Sequence, residues 1–436
     1  MKPVKIGLIG LGTVGCGTVN VLRRNGDEIA RRAGRRIEIA IAAARTLDKQ
    51  RPCDTTGIAL TDDPYAVVDH PEVQVVVELI GGETPARELI LRAIAARKHV
   101  VTANKALIAV HGNEIFAAAQ EYGVTVAFEA AVAGGICIIK AIREGMAGNR
   151  IEWLAGIING TSNYILTGMR EQGRPFAEML KEAQQLGYAE ADPTFDIEGI
   201  DAAHKLTILA AIAFGIPLQF SRVYTEGISR LTPADFRHAT ELGYRIKHLG
   251  IARRTAEGIE LRVHPALVPE KRLIANVDGV MNAVLVRGDA VGPTLHYGAG
   301  AGAEPTASAV VADLVDVVRA LTTDPKNRVP HLAFQAGELA DLPILPSEKI
   351  VSAYYLSLDA LDRPGVLADV TRILADLEIS IEAILQREPP AKDKATVIIL
   401  TQRTIEERIN HAIERIETLP AIVGAVRRIR VEHLNG

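Results

Sequence analysis

The chain has 436 residues, 48 % of them hydrophobic and 23 % charged, with a formal net charge of −4. At roughly 100–200 residues per domain it should hold about two to four domains, and so ordinary a composition excludes wholesale disorder. Basic and acidic residues are mixed along the chain, which excludes a polyanion-binding surface and leaves no nucleic-acid partner expected.

Three cysteines (Cys16, Cys53 and Cys137) are scattered and odd in number, and the eleven histidines fall in no metal-ligand spacing. Neither a disulfide framework nor a zinc cluster is expected. The start, MKPVKIGLIGLGTVG, is apolar but broken by glycine, and no run approaches the roughly 20 apolar residues of a membrane span. A soluble, cytoplasmic protein with no membrane partner is expected.

Residues 1–135 alternate short β-rich runs with helical stretches. Val4 to Ile9 reads as a buried strand, Val14 to Ala33 as a helix, and Ile37 to Ala43, Val73 to Leu79 and Val100 to Thr102 as further strands. Alternation of this kind predicts a Rossmann-type, doubly wound parallel sheet with helices on both faces, an α/β fold. From Ile136 the pattern becomes α+β. Helices are predicted at Ile138 to Ala147, Asn163 to Gln172, Phe176 to Leu186 and Gly199 to Phe214, and a strand at Ile151 to Ile158. Short strands with turns follow between Gly227 and Gly300, including Ile259 to His264 and Gly279 to Arg287. The proline-rich stretch from Asp324 to Ser347 reads as a linker, or as chain laid over a surface.

The tail has a βαββαβ order. Its strands are Val351 to Leu358, Ile379 to Arg387, Ala395 to Gln402 and Ile422 to Val431, its helices Gly365 to Leu377 and Ile405 to Leu419, and a polar loop PPAKDK divides the two middle strands. The expected domains are therefore 1–135 for the dinucleotide, 136–320 for catalysis and dimerisation with its end returning to the nucleotide domain, a linker at 321–349, and a regulatory module at 350–436.

Gly10-Leu11-Gly12-Thr13-Val14-Gly15 joins the first strand to the first helix. Gly10 suits a tight turn, Gly12 lets the backbone of Gly12, Thr13 and Val14 approach a pyrophosphate, and Gly15 allows close helix–strand packing. The helix N-terminus then offers N–H groups and a positive dipole end to the phosphates. At the end of the second strand an acidic residue would hold a ribose 2′-hydroxyl, whereas a cation accommodates a 2′-phosphate. Arg45 stands there, with Lys49 beyond it, which favours NADP and leaves NAD open.

The segment AQQLGYAEADPTFDIEGIDAAHK, Ala183 to Lys205, concentrates Glu190, Asp192, Asp196, Glu198 and Asp201 ahead of Lys205. Asp201 and Lys205 are i,i+4 on a predicted helix whose other side (Leu206, Leu209, Ala210) is apolar; taken alone such a pair is most often a surface ion pair. The whole segment matches without a gap the homoserine dehydrogenase pattern A-x3-G-Y-A-x2-D-P-x2-D-I-x-G-x-D-x3-K. VVTANKAL (Val100 to Leu107), FEAAVAGGI (Phe128 to Ile136), NGTSNYIL (Asn159 to Leu166) and GAGAGAEPTASAVVAD (Gly298 to Asp313) also resemble motifs of that family, in family order, and with GLGTVG they cover residues up to about 320. The tail is similar to an ACT domain, with Asp362-Arg363-Pro364-Gly365 at its first strand–helix turn.

The resemblance implies NAD(P)-linked interconversion of L-homoserine and L-aspartate 4-semialdehyde, on the route to threonine, methionine and isoleucine. A carbonyl that gains a hydride needs a proton donor within about 3 Å. Lys205 is similar in position to the family's proton-donating lysine, and Lys105 would be a second cation beside the nicotinamide and substrate, two ammonium groups in one pocket depressing each other's pKa. Asp201 would orient Lys205 or hold substrate, with Glu190 at the substrate's amino end and Asp196 beside it. Gly187, Gly302 and Lys105 would add to the cofactor site. Glu129, with the carbonyls of Val132, Gly134 and Ile136, resembles a monovalent-cation (sodium) site.

The family's GGIP reads GGIC here, Cys137 replacing the proline, which frees an N–H and is expected to loosen the cation turn. The resemblance further implies an ACT effector, L-threonine, at the turn with Gly365, and a homodimer or homotetramer. A fused aspartate kinase is not expected, since no kinase-sized segment precedes Met1. Two rival readings stand beside this one: a catalytically silent amino-acid-binding regulatory protein, which intact Lys105, Glu190, Asp201 and Lys205 argue against, and an aldehyde dehydrogenase using Cys137 as nucleophile.

Overall fold

The computed structural model describes residues 2–387 and 394–435, and the chain divides into two compact units. Elements are numbered in chain order. The first unit comprises Met1–Gly160, Ile200–Val223 and Val280–Leu342.

Its sheet has six parallel strands in the order β3-β2-β1-β4-β5-β6: β1 Val4–Ile9, β2 Ile37–Ala43, β3 Ala59–Thr61, β4 Val75–Glu78, β5 His99–Thr102 and β6 Val126–Ala127. This is the doubly wound order, reversing direction beside β1, where ligands bind off the carboxyl ends of the strands. Helices α1 Thr13–Arg24, α2 Gly26–Ala33, α3 Pro64–Asp69, α4 Ala86–Ala95 and α5 Lys105–Tyr122 connect the strands. The single helix expected over 14–33 is broken at Asn25, because Asn-Gly leaves the helical region there (φ −108°, ψ 16°).

Val4, Ile6, Leu8, Val75, Val77 and Val101 form a core with Val19 and Leu22 of α1 and with Val310, Leu314 and Val317 of α12 (Ala303–Ala320). Arg24 and Glu304 fix the two helices through a two-fold pair of 2.8 Å bonds. The same unit holds an antiparallel trio, β7 Ile151–Ile157, β11 Met281–Gly288 and β12 Gly292–Ala299. The helix expected over 138–147 is only α6, Ile138–Lys140, followed by one π-helical turn, Ala141–Gly145. Helix α10, Ile200–Phe214, is apolar nearly all round and buried from Asp201 to Phe214, as such a helix must be.

The second unit comprises Thr161–Gly199, Tyr224–Gly279 and Pro343–Gly436. It contains α7 Gly160–Gln172 (all but its first residue), α8 Phe176–Gln185, α9 Thr194–Ile197, the short strand β8 Tyr224–Thr225, and α11 Pro233–Glu241. The expectation of short strands here was wrong. β9, Tyr244–Arg254, and β10, Ile259–Pro269, form an antiparallel hairpin of 11-residue strands. Helix α11 was missed as well; Pro233 at its first turn and a capping box between Thr232 and Asp235 start it.

The tail forms β13 Val351–Leu361, α13 Val366–Asp376, β14 Ile381–Arg387, β15 Lys394–Thr401, β16 Thr404–Ile405, α14 Glu406–Glu417 and β17 Ile422–Val431. The polar loop expected at 389–394 lies outside the described residues except for Lys394. Its sheet runs β17-β13-β15-β14, and β17 also pairs in parallel with β10 through Ala266 opposite Arg430 and Leu267 opposite Val431. Strand alternation explains how this sheet buries both faces. Tyr354, Leu356, Leu358, Val397 and Ile399 pack with α13 and α14, whereas Ala353, Tyr355, Ile398, Leu400 and Ile429 pack with α7, α8 and α11.

Candidate active site

The glycine loop lies between β1 and α1, as its spacing requires. Gly10 has φ +105°, and a Cβ on Gly15 would stand 2.0 Å from the Gly10 carbonyl oxygen, so the turn closes only with glycine at both places. A Cβ on Gly12 would meet nothing within 4 Å, and Gly12 caps α1 with no side-chain hydrogen bond. The start of α1 is thus an open cradle, and the residues fit a bound pyrophosphate. Arg45 and Lys49 are exposed on the loop after β2, which Arg51 ties together by donating to the carbonyls of Thr46, Leu47 and Lys49.

Behind the sheet's carboxyl ends stands Glu78, a buried carboxylate closing β4. One oxygen accepts from Thr102 Oγ1 (2.6 Å) and the other from the Ile80 and Gly81 amides (2.8 and 3.0 Å). Asn104 caps α5 by accepting from the Leu107 amide and donates to the Gly82 carbonyl. These bonds fix the start of α5, from which Lys105 projects. Sequence reasoning missed both residues, although a lone acid ending an apolar strand run (VVVE) was a readable signal.

Asp201 is the centre of the site. Its Oδ2 accepts from Lys205 Nζ at 2.7 Å and from Asn159 Nδ2 at 2.8 Å, and its Oδ1 lies 3.2 Å from Lys105 Nζ. Lys205 also donates to the Ile158 carbonyl at 2.7 Å. Burial works to raise the Asp201 carboxyl, but the two lysine charges and the Lys205 and Asn159 hydrogen bonds outweigh it and hold it well below the usual carboxylate range. The side chain of Lys105 is 37 % exposed while those of Lys205 and Asp201 are 11 % and 5 %, so this is no surface ion pair. One carboxylate faces two ammonium groups, leaving an excess of positive charge suited to an oxygen that develops negative charge. Asn159 begins the NGTSNYIL motif, and its hold on Asp201 could not be read from spacing. His204 stacks on Phe220 at 4.1 Å and is pushed down to about 4 by burial, which keeps it neutral beside these charges.

Glu129 is buried, and its two oxygens accept from the Ile139 and Lys140 amides at 2.9 Å each, capping α6. Its own amide donates to Asp313. Burial, then the Asp313 charge, push it up to about 7. Among the other expected cation ligands, the Ile136 carbonyl accepts from Ile138 and the Gly134 amide donates to Gly300. Two buried carboxylates facing Lys140 fit an additional small cation by charge; no group of three His, Cys, Asp or Glu residues able to hold a metal occurs among the described residues. Cys137 caps α6 with φ −77°, an angle a proline also adopts, and burial followed by the Glu129 charge raises its thiol, so it is no activated nucleophile.

In the second unit, residues 186–199 carry Gly187 (φ +76°) and Glu190, with Asp196 in α9. Glu190 is exposed, and its carbonyl accepts from Gln184; the Asp196 carbonyl accepts from Ser162 Oγ at 3.0 Å. Gly302, in the first unit, caps α12 at φ +126°.

A dinucleotide-binding sheet with a lysine–aspartate–lysine cluster in the same unit is the framework of a nicotinamide-dependent oxidoreductase, and comparison with known proteins specifies which. Residues 10–129 match the NAD-binding domain of homoserine dehydrogenase, 137–315 its homoserine dehydrogenase domain, and 354–421 the ACT domain. The homoserine dehydrogenase of Pseudomonas aeruginosa is 67 % identical over 436 residues, covering all of both chains, and that of Neisseria gonorrhoeae is 56 % identical over 435, again spanning 100 % of each. The crystal structure of a homoserine dehydrogenase from Thiobacillus denitrificans superposes with a TM-score of 0.95 at 67 % identity, over 100 % of this chain and 99 % of that one. The chain belongs to the homoserine dehydrogenase family and is an oxidoreductase with an NAD(P)-binding domain and an ACT domain.

No described helix is long and apolar enough to cross a membrane.

Proposed function

We propose that the protein interconverts L-homoserine and L-aspartate 4-semialdehyde with NADP(H), and that Lys205 carries the proton. The observation that supports this most is Asp201 bridging Lys205 and Lys105 in the unit that bears the glycine loop. A bound nicotinamide supplies or accepts the hydride. Lys205 gives a proton to the oxygen as the aldehyde is reduced and takes it back in the reverse direction; Asp201 and the Ile158 carbonyl aim its Nζ. Lys105, the more exposed cation, polarises the same oxygen. Glu190 and Asp196 bind the substrate's amino end.

For the dinucleotide we assign the backbone of Gly10, Gly12, Thr13, Val14 and Gly15, with Lys105, Gly187 and Gly302, and we assign Arg45 and Lys49 to a 2′-phosphate, hence NADP over NAD. Sodium is proposed on Glu129 with the Val132, Gly134 and Ile136 carbonyls. Domain limits of 1–135, 136–320, 321–349 and 350–436, a cytoplasmic homodimer or homotetramer, a place in threonine, methionine and isoleucine synthesis, and threonine control through the ACT domain complete the proposal.

Homoserine-dependent reduction of NADP⁺ and of NAD⁺ by the purified chain, read at the nicotinamide absorbance, tests it. A faster rate with NADP⁺ is expected. A preference for NAD⁺ removes the role of Arg45 and Lys49, and no rate with either removes the substrate assignment.

A further inference from the structure

Asn282, on the middle strand of the antiparallel trio in the first unit, is 1 % exposed, yet neither Nδ2 nor Oδ1 of its amide has a hydrogen-bond partner among the described residues. Buried orphans of this kind are rare in native cores, and each one costs stability. Leucine has nearly the same shape and leaves no orphan, so the ligand-free fold gains nothing from asparagine here. Residues that work against the fold in this way are expected where function needs them.

Asn282 stands between two parts of the site. The next residue, Ala283, lies opposite Ile157 on β7, and the carbonyl of Ile158, one step further, accepts from Lys205 Nζ at 2.7 Å. On its other side Asn282 pairs with Gly298 of β12, where the turn 298–302 into α12 begins. The side chain reaches into that turn, for a Cβ on Gly300 would collide with its Oδ1.

The turn is also keyed to the loop after Glu129. Gly134 donates to the Gly300 carbonyl at 3.0 Å, and Gly135 to the Ala299 carbonyl at 2.9 Å. The amides of Ala301 and Gly302 have no acceptor among the described residues. A buried amide with two open ends therefore faces a turn with open backbone groups of its own.

We infer that Asn282 is a positioning residue of the dinucleotide-bound state: with the cofactor in place, turn 298–302 re-seats and its backbone takes up both ends of the Asn282 amide. Oδ1 then accepts from the Ala301 or Gly302 amide, and the turn is fastened to the strand beside Ile158, whose carbonyl aims Lys205. The inference rests on the proposed contact of Gly302 with the dinucleotide.

The test is Asn282→Leu in the full chain. NADPH affinity is measured by fluorescence titration, and the unfolding temperature with and without NADPH. Without ligand the variant should unfold at the native temperature or above it, because both orphans are gone. NADPH should bind at least about tenfold more weakly and raise the unfolding temperature correspondingly less. An asparagine that serves only the fold gives the opposite pattern. A lower ligand-free unfolding temperature, failure to fold, or native NADPH affinity each overturns the inference. Gly302→Ala separates it from the reading beneath it. Weak NADPH binding in Gly302→Ala with native binding in Asn282→Leu overturns the role of Asn282 alone, and native binding in both removes the Gly302 contact as well.

Discussion

Replacing Asp201 by asparagine keeps the shape of the central side chain and removes its charge. In the native site the carboxylate stands 2.7 Å from Lys205 Nζ and 3.2 Å from Lys105 Nζ. At an effective dielectric of about 20 these separations correspond to gross attractions of about 6 and about 5 kcal/mol, most of which offset the desolvation of three buried or half-buried ions. Asp201→Asn would leave two ammonium groups facing each other with no anion between them. Two consequences follow. Lys205 loses the partner that aims it, and kcat should fall by about two to three orders of magnitude. The attraction that keeps its Nζ protonated also disappears, so the acidic limb of the kcat/KM profile for homoserine oxidation should move to lower pH by about one unit or more. Steady-state oxidation of homoserine across the pH range measures both. A fall of less than about tenfold with an unmoved acidic limb would refute the reasoning, because a merely structural aspartate could lower the rate but has no cause to shift the profile.

Arg45→Glu should lower kcat/KM for NADP⁺ by about ten- to a hundredfold and spare NAD⁺, the scale of a lost charge-assisted hydrogen bond; equal losses with both cofactors would contradict a 2′-phosphate contact. Gly15→Ala, whose Cβ would stand 2.0 Å from the Gly10 carbonyl oxygen, should abolish NADPH binding measured by fluorescence titration, and near-native affinity would contradict the cradle. Glu129 has a native pKa raised from 4.5 to about 7, so the stability it contributes is full below about pH 4.5 and is lost as the pH rises through about 7, a difference of about 3 kcal/mol. A bound sodium ion would offset that loss. The rise in unfolding temperature on exchanging choline for sodium should therefore be larger near pH 8 than near pH 5.5 and vanish in Glu129→Gln, and equal responses at both pH values would count against the cation site.

The nucleotide fold was legible because its signals are local. Val4 to Ile9 followed by GLGTVG brings strand, turn and helix within one short stretch, and the parallel sheet follows from the alternation behind it. The break at Asn25 was equally local, but it was hidden by apolar periodicity on both sides. The second unit was harder. Residues 259–264 alternate apolar and polar and read as a strand, but Pro265 and Pro269 hide its continuation, and the adjacent Lys247 and His248 break the alternation of Tyr244–Arg254. The pairing of β17 with β10 joins residues far apart in sequence, which no spacing encodes.

At the site, Asp201 and Lys205 were readable as an i,i+4 pair but their burial was not, because the residues enclosing them include Asn159 and the start of α5. Motif likeness singled out Lys105; what fixes its helix, the chain of bonds through Glu78, Thr102 and Asn104, emerges only in three dimensions.

Lys205→Met tests the central claim most directly, because it keeps the bulk of the side chain and removes the amine that gives and takes the proton. Homoserine oxidation with NADP⁺ should slow by about two to four orders of magnitude while NADPH binding stays at its native strength. A loss below about tenfold, with binding equally intact, would contradict the assignment of Lys205 as the proton carrier.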